Sequence, residues 1–250
     1  DGRDLALLCL EALPDSSLPE GRVGRAPNGN AVLSGLSAEA VSVREPVRRE
    51  TLRFTWAWAD HEQADGDHRV VNALDTHDDL GWAVDAHRKP GGRVALFLAE
   101  KAFGFEGGTE LRVQLEYDSV YDQHAFGRVR LSLASLADAG REQLPAAKSG
   151  WYVAGPFPSE NGAAAFDQTF GPEQDEVLDL ARVFGQSKQA WRFDMRLDDG
   201  ELSSFEGGVF ALYVARRLFV PTKRLIELSL GSDDGFRLFL NGAEVGARRV

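Results

Sequence analysis

Apolar and polar residues alternate with a period of two along most of this chain, which predicts strands with one buried face rather than helices. The pattern is plainest from Arg224 to Val245. Ile226, Leu228 and Leu230 alternate with Glu227 and Ser229, and Gly231-Ser232-Asp233-Asp234-Gly235 then interrupts with residues that tolerate positive φ or bond their own backbone. Alternation resumes with Phe236, Leu238 and Leu240. Asn241-Gly242 comes next, a pair suited to a type I′ hairpin because both central residues of that turn need φ > 0. Three antiparallel strands in one meander are expected here.

Upstream, the same period predicts strands at 5–13, 31–43, 52–59, 81–84, 93–99, 110–117 and 127–134. Leu52, Phe54, Trp56 and Trp58 fall in one phase and make a heavy aromatic face. Leu111, Val113, Leu115 and Tyr117 in one strand, with Val129, Leu131 and Leu133 in another, suggest a facing pair that points these residues to the core and sets basic against acidic neighbours outside. Residues 69–74 fit either a short helix or a bent strand. Between Ala137 and Gly150 the apolar period fades into Ala, Asp, Lys, Gly and Pro, the composition of a boundary. Beyond it, 151–157, 190–197 and 210–220 are strand candidates, separated by a loop-rich stretch at 161–185. The expected fold is all-β, with two consecutive antiparallel β-sandwich domains at 1–140 and 150–250 and a linker at 141–149. The second domain is expected to be truncated at the C-terminus, since its last hairpin needs further strands to cover it.

Composition narrows the function classes. A formal net charge of −11 argues against duplex nucleic acid, which needs a basic footprint, and against anionic membrane surfaces. No apolar run approaches the roughly 20 residues of a membrane-spanning helix. The single cysteine, Cys9, excludes an internal disulfide and any Cys-based zinc or haem motif; in step with Leu5 and Leu7, it is expected to pack as a small hydrophobe. There is no nucleophile elbow, phosphate loop or dinucleotide fingerprint.

The strand, GSDDG and LNG run of residues 226–242, preceded by Trp151-Tyr152-Val153-Ala154-Gly155-Pro156-Phe157 and by residues 165–173, resembles the jelly-roll, galactose-binding-like modules found beside glycoside hydrolases and in large secreted bacterial proteins. Residues 18–40, LPEGRVGRAPNGNAVLSGLSAEA, resemble a segment of the planctomycete cytochrome-c-domain family, large multidomain proteins with domains of unknown function. That resemblance implies an extracytoplasmic setting and no defined activity.

Three residues stand out as ligand candidates. Asp233 and Asp234 are adjacent carboxylates in a strand-connecting loop, suited to calcium or to sugar hydroxyls; the competing reading is a turn whose Asp oxygens cap backbone N–H groups. Asp198-Asp199-Gly200 is the other acidic turn in that half. Trp82 follows the polar run His77-Asp78-Asp79 and is the indole best placed to form an exposed stacking platform. The five histidines are scattered, without metalloprotease spacing, and are taken as lone surface residues. The expected function is a non-catalytic accessory module that binds carbohydrate or positions neighbouring domains, with no cofactor unless calcium. The alternatives are a structural scaffold without ligand, or part of an enzyme whose active site lies elsewhere.

Overall fold

The computed structural model describes residues 3–74, 80–185 and 188–250. The chain is mostly β, in several antiparallel sheets, and divides into two units: Asp1–Ser149 with Leu218–Arg224, and Gly150–Arg217 with Leu225–Val250. The expected all-β class holds.

The first unit contains β1 (Leu5–Ala12), β2 (Val32–Leu33), β3 (Gly35–Ser42), β4 (Arg49–Leu52), β5 (Phe54–Ala59), β6 (Trp82–Ala83), β7 (Arg93–Phe103), β8 (Thr109–Glu116), β9 (Val129–Ser135), a six-residue helix α1 (Asp138–Gln143) and β10 (Ala147–Lys148). Residues Val70–Leu74, open between helix and strand in sequence, form a 3-10 turn. Four strands make one sheet in the order β5-β7-β1-β9, three make another in the order β4-β3-β8, and β2 pairs with β6. Leu8, Leu10 and Ala12 of β1, Ala95, Phe97 and Ala99 of β7, Leu36, Ala38 and Ala40 of β3 and Leu52 of β4 share one core. Two sheets therefore bury their apolar faces against each other, as period-two strands require.

Two details depart from the expected pattern. Strand β5 shifts register against β7 between Phe54 and Trp56. One inserted residue flips every later side chain to the opposite face, so Phe54 enters the main core while Trp56 packs with Ala6 and Leu98 on the other side of the sheet. Trp56 Nε1 donates to the Pro145 carbonyl at 2.8 Å, and Leu136, Leu144 and Ala147 cover that second cluster. The stretch read as a linker, 141–149, thus carries part of α1 and all of β10, and seals the outer face. Second, β8 and β9 do not pair: β8 lies on β3 and β9 on β1. Val129, Leu131 and Leu133 stand opposite Ala12, Leu10 and Leu8 but remain about 40% exposed on an edge strand. Cys9 keeps the expected step with Leu5 and Leu7, half-buried as they are and alternating with buried Leu8 and Leu10.

The second unit holds β11 (Tyr152–Pro158), α2 (Gly162–Asp167), β12 (Val183–Phe184), β13 (Gln189–Ala190), β14 (Arg192–Phe193) and β15 (Phe210–Ala215). Strands β14-β11-β15 form a three-stranded sheet, and a small core gathers Ala154, Phe157 and Phe184 with Phe170, Trp191 and Tyr213. The expected strand at 210–220 is broken. Its second part, β16 (Leu218–Phe219), pairs with β10 in the first unit. The terminal hairpin forms as expected from β17 (Phe236–Leu240) and β18 (Ala243–Arg248), with Asn241 at φ 49° and Gly242 at φ 75°. The first strand of the meander does not: residues 223–230 are in no sheet, and Leu225, Leu228 and Leu230 are exposed.

Candidate functional site

In the first unit four loops and the β2–β6 pair converge on a cleft of about 210 Å3, lined by Asn28, Asn30, Val32, Gln63, His68, Ala83, His87, Tyr121 and His124. Its construction starts with the segment GRAPNGN. Gly24 N–H donates to the Gly29 carbonyl at 3.0 Å, Gly29 N–H to the Ala26 carbonyl at 2.7 Å, and Asn28 Oδ1 accepts from Asn30 N–H at 3.0 Å. Gly24 is required there because a Cβ would stand 1.8 Å from the Asn30 carbonyl oxygen. The turn delivers Asn30, 4% exposed, as a bridge. Its Oδ1 accepts from Ala86 N–H at 2.9 Å and its Nδ2 donates to Gln63 Oε1 at 3.0 Å.

Each remaining wall is pinned the same way. Gln63 N–H donates to the Ala83 carbonyl at 3.0 Å and Gln63 Nε2 to Asp65 at 2.6 Å. The turn after β6 is organised by Arg93, 2% exposed, whose guanidinium donates to the carbonyls of Val84, Lys89, Gly91 and Gly92. Burial lowers the pKa of that guanidinium from its ordinary value, and four carbonyl acceptors offset the cost of burying it. Asp85 adopts φ 53° in this turn, and its carboxylate meets His61 Nε2 at 3.1 Å, Arg88 Nε at 2.9 Å and His87 Nδ1 at 3.7 Å. Such a conformation in a non-glycine residue is held by its surroundings.

The fourth wall is the loop between β8 and β9. Val32 N–H donates to the His124 carbonyl and Arg25 N–H to that of Ala125, both at 2.8 Å. Tyr121, 48% exposed, sets its ring 5.4 Å from that of His124 at 49°. His124 Nδ1 lies 2.9 Å from the Asp122 carbonyl. A carbonyl only accepts, so Nδ1 carries the proton and Nε2 presents a lone pair.

The fold leaves polar capacity unspent around this cleft. Among the described residues Asn28 Nδ2 and His124 Nε2 have no hydrogen-bond partner, and the Nδ1 atoms of His68 and His87 are buried without one. Asn28 is exposed and His124 half-buried, so water reaches those two atoms, and only the buried Nδ1 atoms of His68 and His87 depart from the usual pairing of buried polar groups. The pKa of His68 is lowered by burial, against the opposing pull of Asp65 and Asp67. The pKa of nearby Glu62 is raised by burial, although its Oε1 accepts from Val70 N–H at 2.7 Å.

The residues singled out in sequence lie elsewhere or serve otherwise. Trp82 is no exposed platform: it is 0% exposed, donates from Nε1 to the His61 carbonyl at 2.8 Å and packs edge-on against Phe126 at 5.9 Å. Its pairing in β6 turns the indole into the core beneath the cleft. The polar run preceding it, 75–79, lies outside the described residues. Asp233 and Asp234 are exposed in the second unit, where Asp234 N–H donates to Asp233 Oδ1 at 3.1 Å. Asp199 of the other acidic turn accepts from Trp151 Nε1 at 3.0 Å and from Arg216 at 2.6 Å, with that guanidinium over the Trp151 ring. Among the described residues no group of three or more His, Cys, Asp or Glu side chains is arranged to hold a metal ion.

The histidines that line the cleft do not announce a site in sequence, because nothing in their spacing links them. The NGN turn is visible there, but as a resemblance rather than as a site. No protein-family model, curated protein or solved structure matches this chain.

Proposed function

We propose that this chain is a non-catalytic carbohydrate-binding module, acting within a larger extracytoplasmic protein, and that the cleft in its first unit is the binding site. The observation that supports the reading most is the half-exposed Tyr121 ring beside His124, at a cleft where Asn28 Nδ2 and His124 Nε2 have no protein partner among the described residues. Sugars present hydroxyls on one edge and C–H groups on the other. A flat aromatic with a few fixed polar groups answers both. The cleft lining contains no carboxylate, whereas glycoside hydrolysis generally uses a pair of them, which favours binding over turnover. A glycan array, followed by polysaccharide pull-down with wild type and Tyr121→Ala, tests the reading. Retention of one glycan class by wild type and its loss in the variant supports it; no retention of any glycan by wild type overturns it in favour of a scaffold.

A further inference from the structure

The cleft also limits which carbohydrate it can take. This step rests on the carbohydrate-binding reading above. At about 210 Å3 the site is smaller than the roughly 300–1,000 Å3 of pockets that enclose drug-sized ligands. It is lined by four separate chain segments, contributed by residues 28–32, 63–68, 83–87 and 121–124. A volume of that size suits one sugar ring, not a chain running through.

Its polar groups are of two complementary kinds. Asn28 Nδ2, an amide nitrogen, can only donate, and the oxygen of that side chain already accepts from Asn30 N–H at 3.0 Å. His124 Nε2 can only accept while the imidazole is neutral, because its Nδ1 proton is committed to the Asp122 carbonyl at 2.9 Å. A hydroxyl both donates and accepts, so two neighbouring hydroxyls on one ring can satisfy both groups, with the ring's C–H face on Tyr121. Charge narrows the choice again. Asp65, Asp67, Asp85 and Asp122 lie in the segments that build the cleft, and Arg88, which directly follows the 83–87 segment, is committed to Asp65 at 2.6 Å and Asp85 at 2.9 Å. An anionic sugar would enter against that field. We infer that the cleft binds the terminal ring of an uncharged glycan, end-on, through two adjacent hydroxyls held by Asn28 and His124.

The test is competition on the intact chain. Wild type is first bound to the neutral glycan it retains best on an array. Methyl glycosides of galactose, glucose, mannose, fucose and xylose are then offered as competitors, with glucuronate and galacturonate in parallel. One neutral methyl glycoside is expected to displace the glycan completely, with both uronates at least tenfold weaker. Asn28→Ala and His124→Phe should each weaken binding about tenfold or more; His124→Phe should melt near wild type, whereas Asn28→Ala also removes the acceptor of Asn30 N–H and should melt lower. Glycan binding that no methyl glycoside displaces overturns end-on recognition and leaves the carbohydrate reading standing. Equal or tighter binding of a uronate overturns the requirement for an uncharged ring. Should Asn28→Ala fail to fold, Asn28→Asp keeps the Oδ1 acceptor of the turn while removing the donor, and undiminished binding by that variant also overturns the assignment.

Discussion

Replacing Asn30 by alanine removes two hydrogen bonds at once from a position that is 4% exposed. The first is the 2.9 Å bond accepted from Ala86 N–H. Ala86 is itself 0% exposed, so its N–H has no water to turn to, and an orphaned buried donor costs about 1–3 kcal/mol. The second is the 3.0 Å bond to Gln63 Oε1. Gln63 is half-buried and can recover part of that bond from solvent, so its loss costs about 0.5–1.5 kcal/mol. Together the first unit should lose roughly 2–4 kcal/mol, a fall of roughly 5–15 °C in melting temperature for a body of this size. Gln63→Ala removes the second bond and the exposed one from Gln63 Nε2 to Asp65 at 2.6 Å but leaves Ala86 N–H paired, and should cost about 1 kcal/mol. Thermal and urea unfolding followed by the fluorescence of the buried Trp56 and Trp82 measures both variants. An Asn30→Ala protein that melts within about 2 °C of wild type, or a Gln63→Ala protein as damaged as Asn30→Ala, would refute the bridging role assigned to Asn30.

Arg93→Met should destabilise the first unit by at least about 1–3 kcal/mol, because the Val84 carbonyl it serves is buried; Arg93→Lys should recover only part, since an ammonium lacks the planar fork. Gly242→Val should cost the second unit about 1–3 kcal/mol through strain at φ 75°, measured by calorimetry as a shift of its transition alone. Trp82→Ala should lower stability by about 3–5 kcal/mol as a core truncation, whereas a stacking platform would lose binding with stability intact. The raised pKa of Glu62 means that the folded state holds its proton above pH 4.5, where the unfolded chain has released it. Its ionisation therefore weakens the fold as pH rises through that window, so Glu62→Gln, which keeps the acceptor for Val70 N–H, should match or exceed wild-type stability at pH 7 and lose that advantage below pH 4.5. His68 has the opposite window: its lowered pKa means the unfolded chain takes up its proton first as pH falls below 6.5, so acidification should destabilise wild type there, and His68→Gln should flatten that slope.

Much of the fold was legible because strand periodicity is a local property. Strands β1, β3, β7, β8 and β9 and the Asn241-Gly242 turn can all be read from residue order within a few positions. Pairing is not local. The apolar faces of β8 and β9 fit each other on paper, yet β8 has β3 and β9 has β1 as partners, and nothing in a period of two ranks those choices. The β5 bulge shows a second limit, since one extra residue between Phe54 and Trp56 reverses the face of every later side chain in the strand without changing the composition. Ile226 to Leu230 shows a third: the alternation is complete, but a strand also needs a neighbour, and none lies beside this one among the described residues.

The site was less legible than the fold. Its polar groups come from four loops, and each of Asn28, Gln63, His87 and His124 is unremarkable where it stands in the chain. What gathers them is Asn30, whose side chain reaches two other loops across 33 and 56 residues of sequence. Trp82 misled in the reverse direction. A polar run before an indole suggested exposure, while the β2–β6 pairing buried it.

The claim that the cleft is the binding site is tested most directly by mapping where a ligand lands. Amide chemical shifts of the isotopically labelled chain, followed during titration with the neutral methyl glycoside that competes best, report every segment at once. The shifts are expected to concentrate at Asn28, Gln63, His87, Tyr121 and His124, with residues 231–235 unmoved. Shifts confined to Asp233, Asp234 and their neighbours, or none anywhere at saturating sugar, would contradict the assignment.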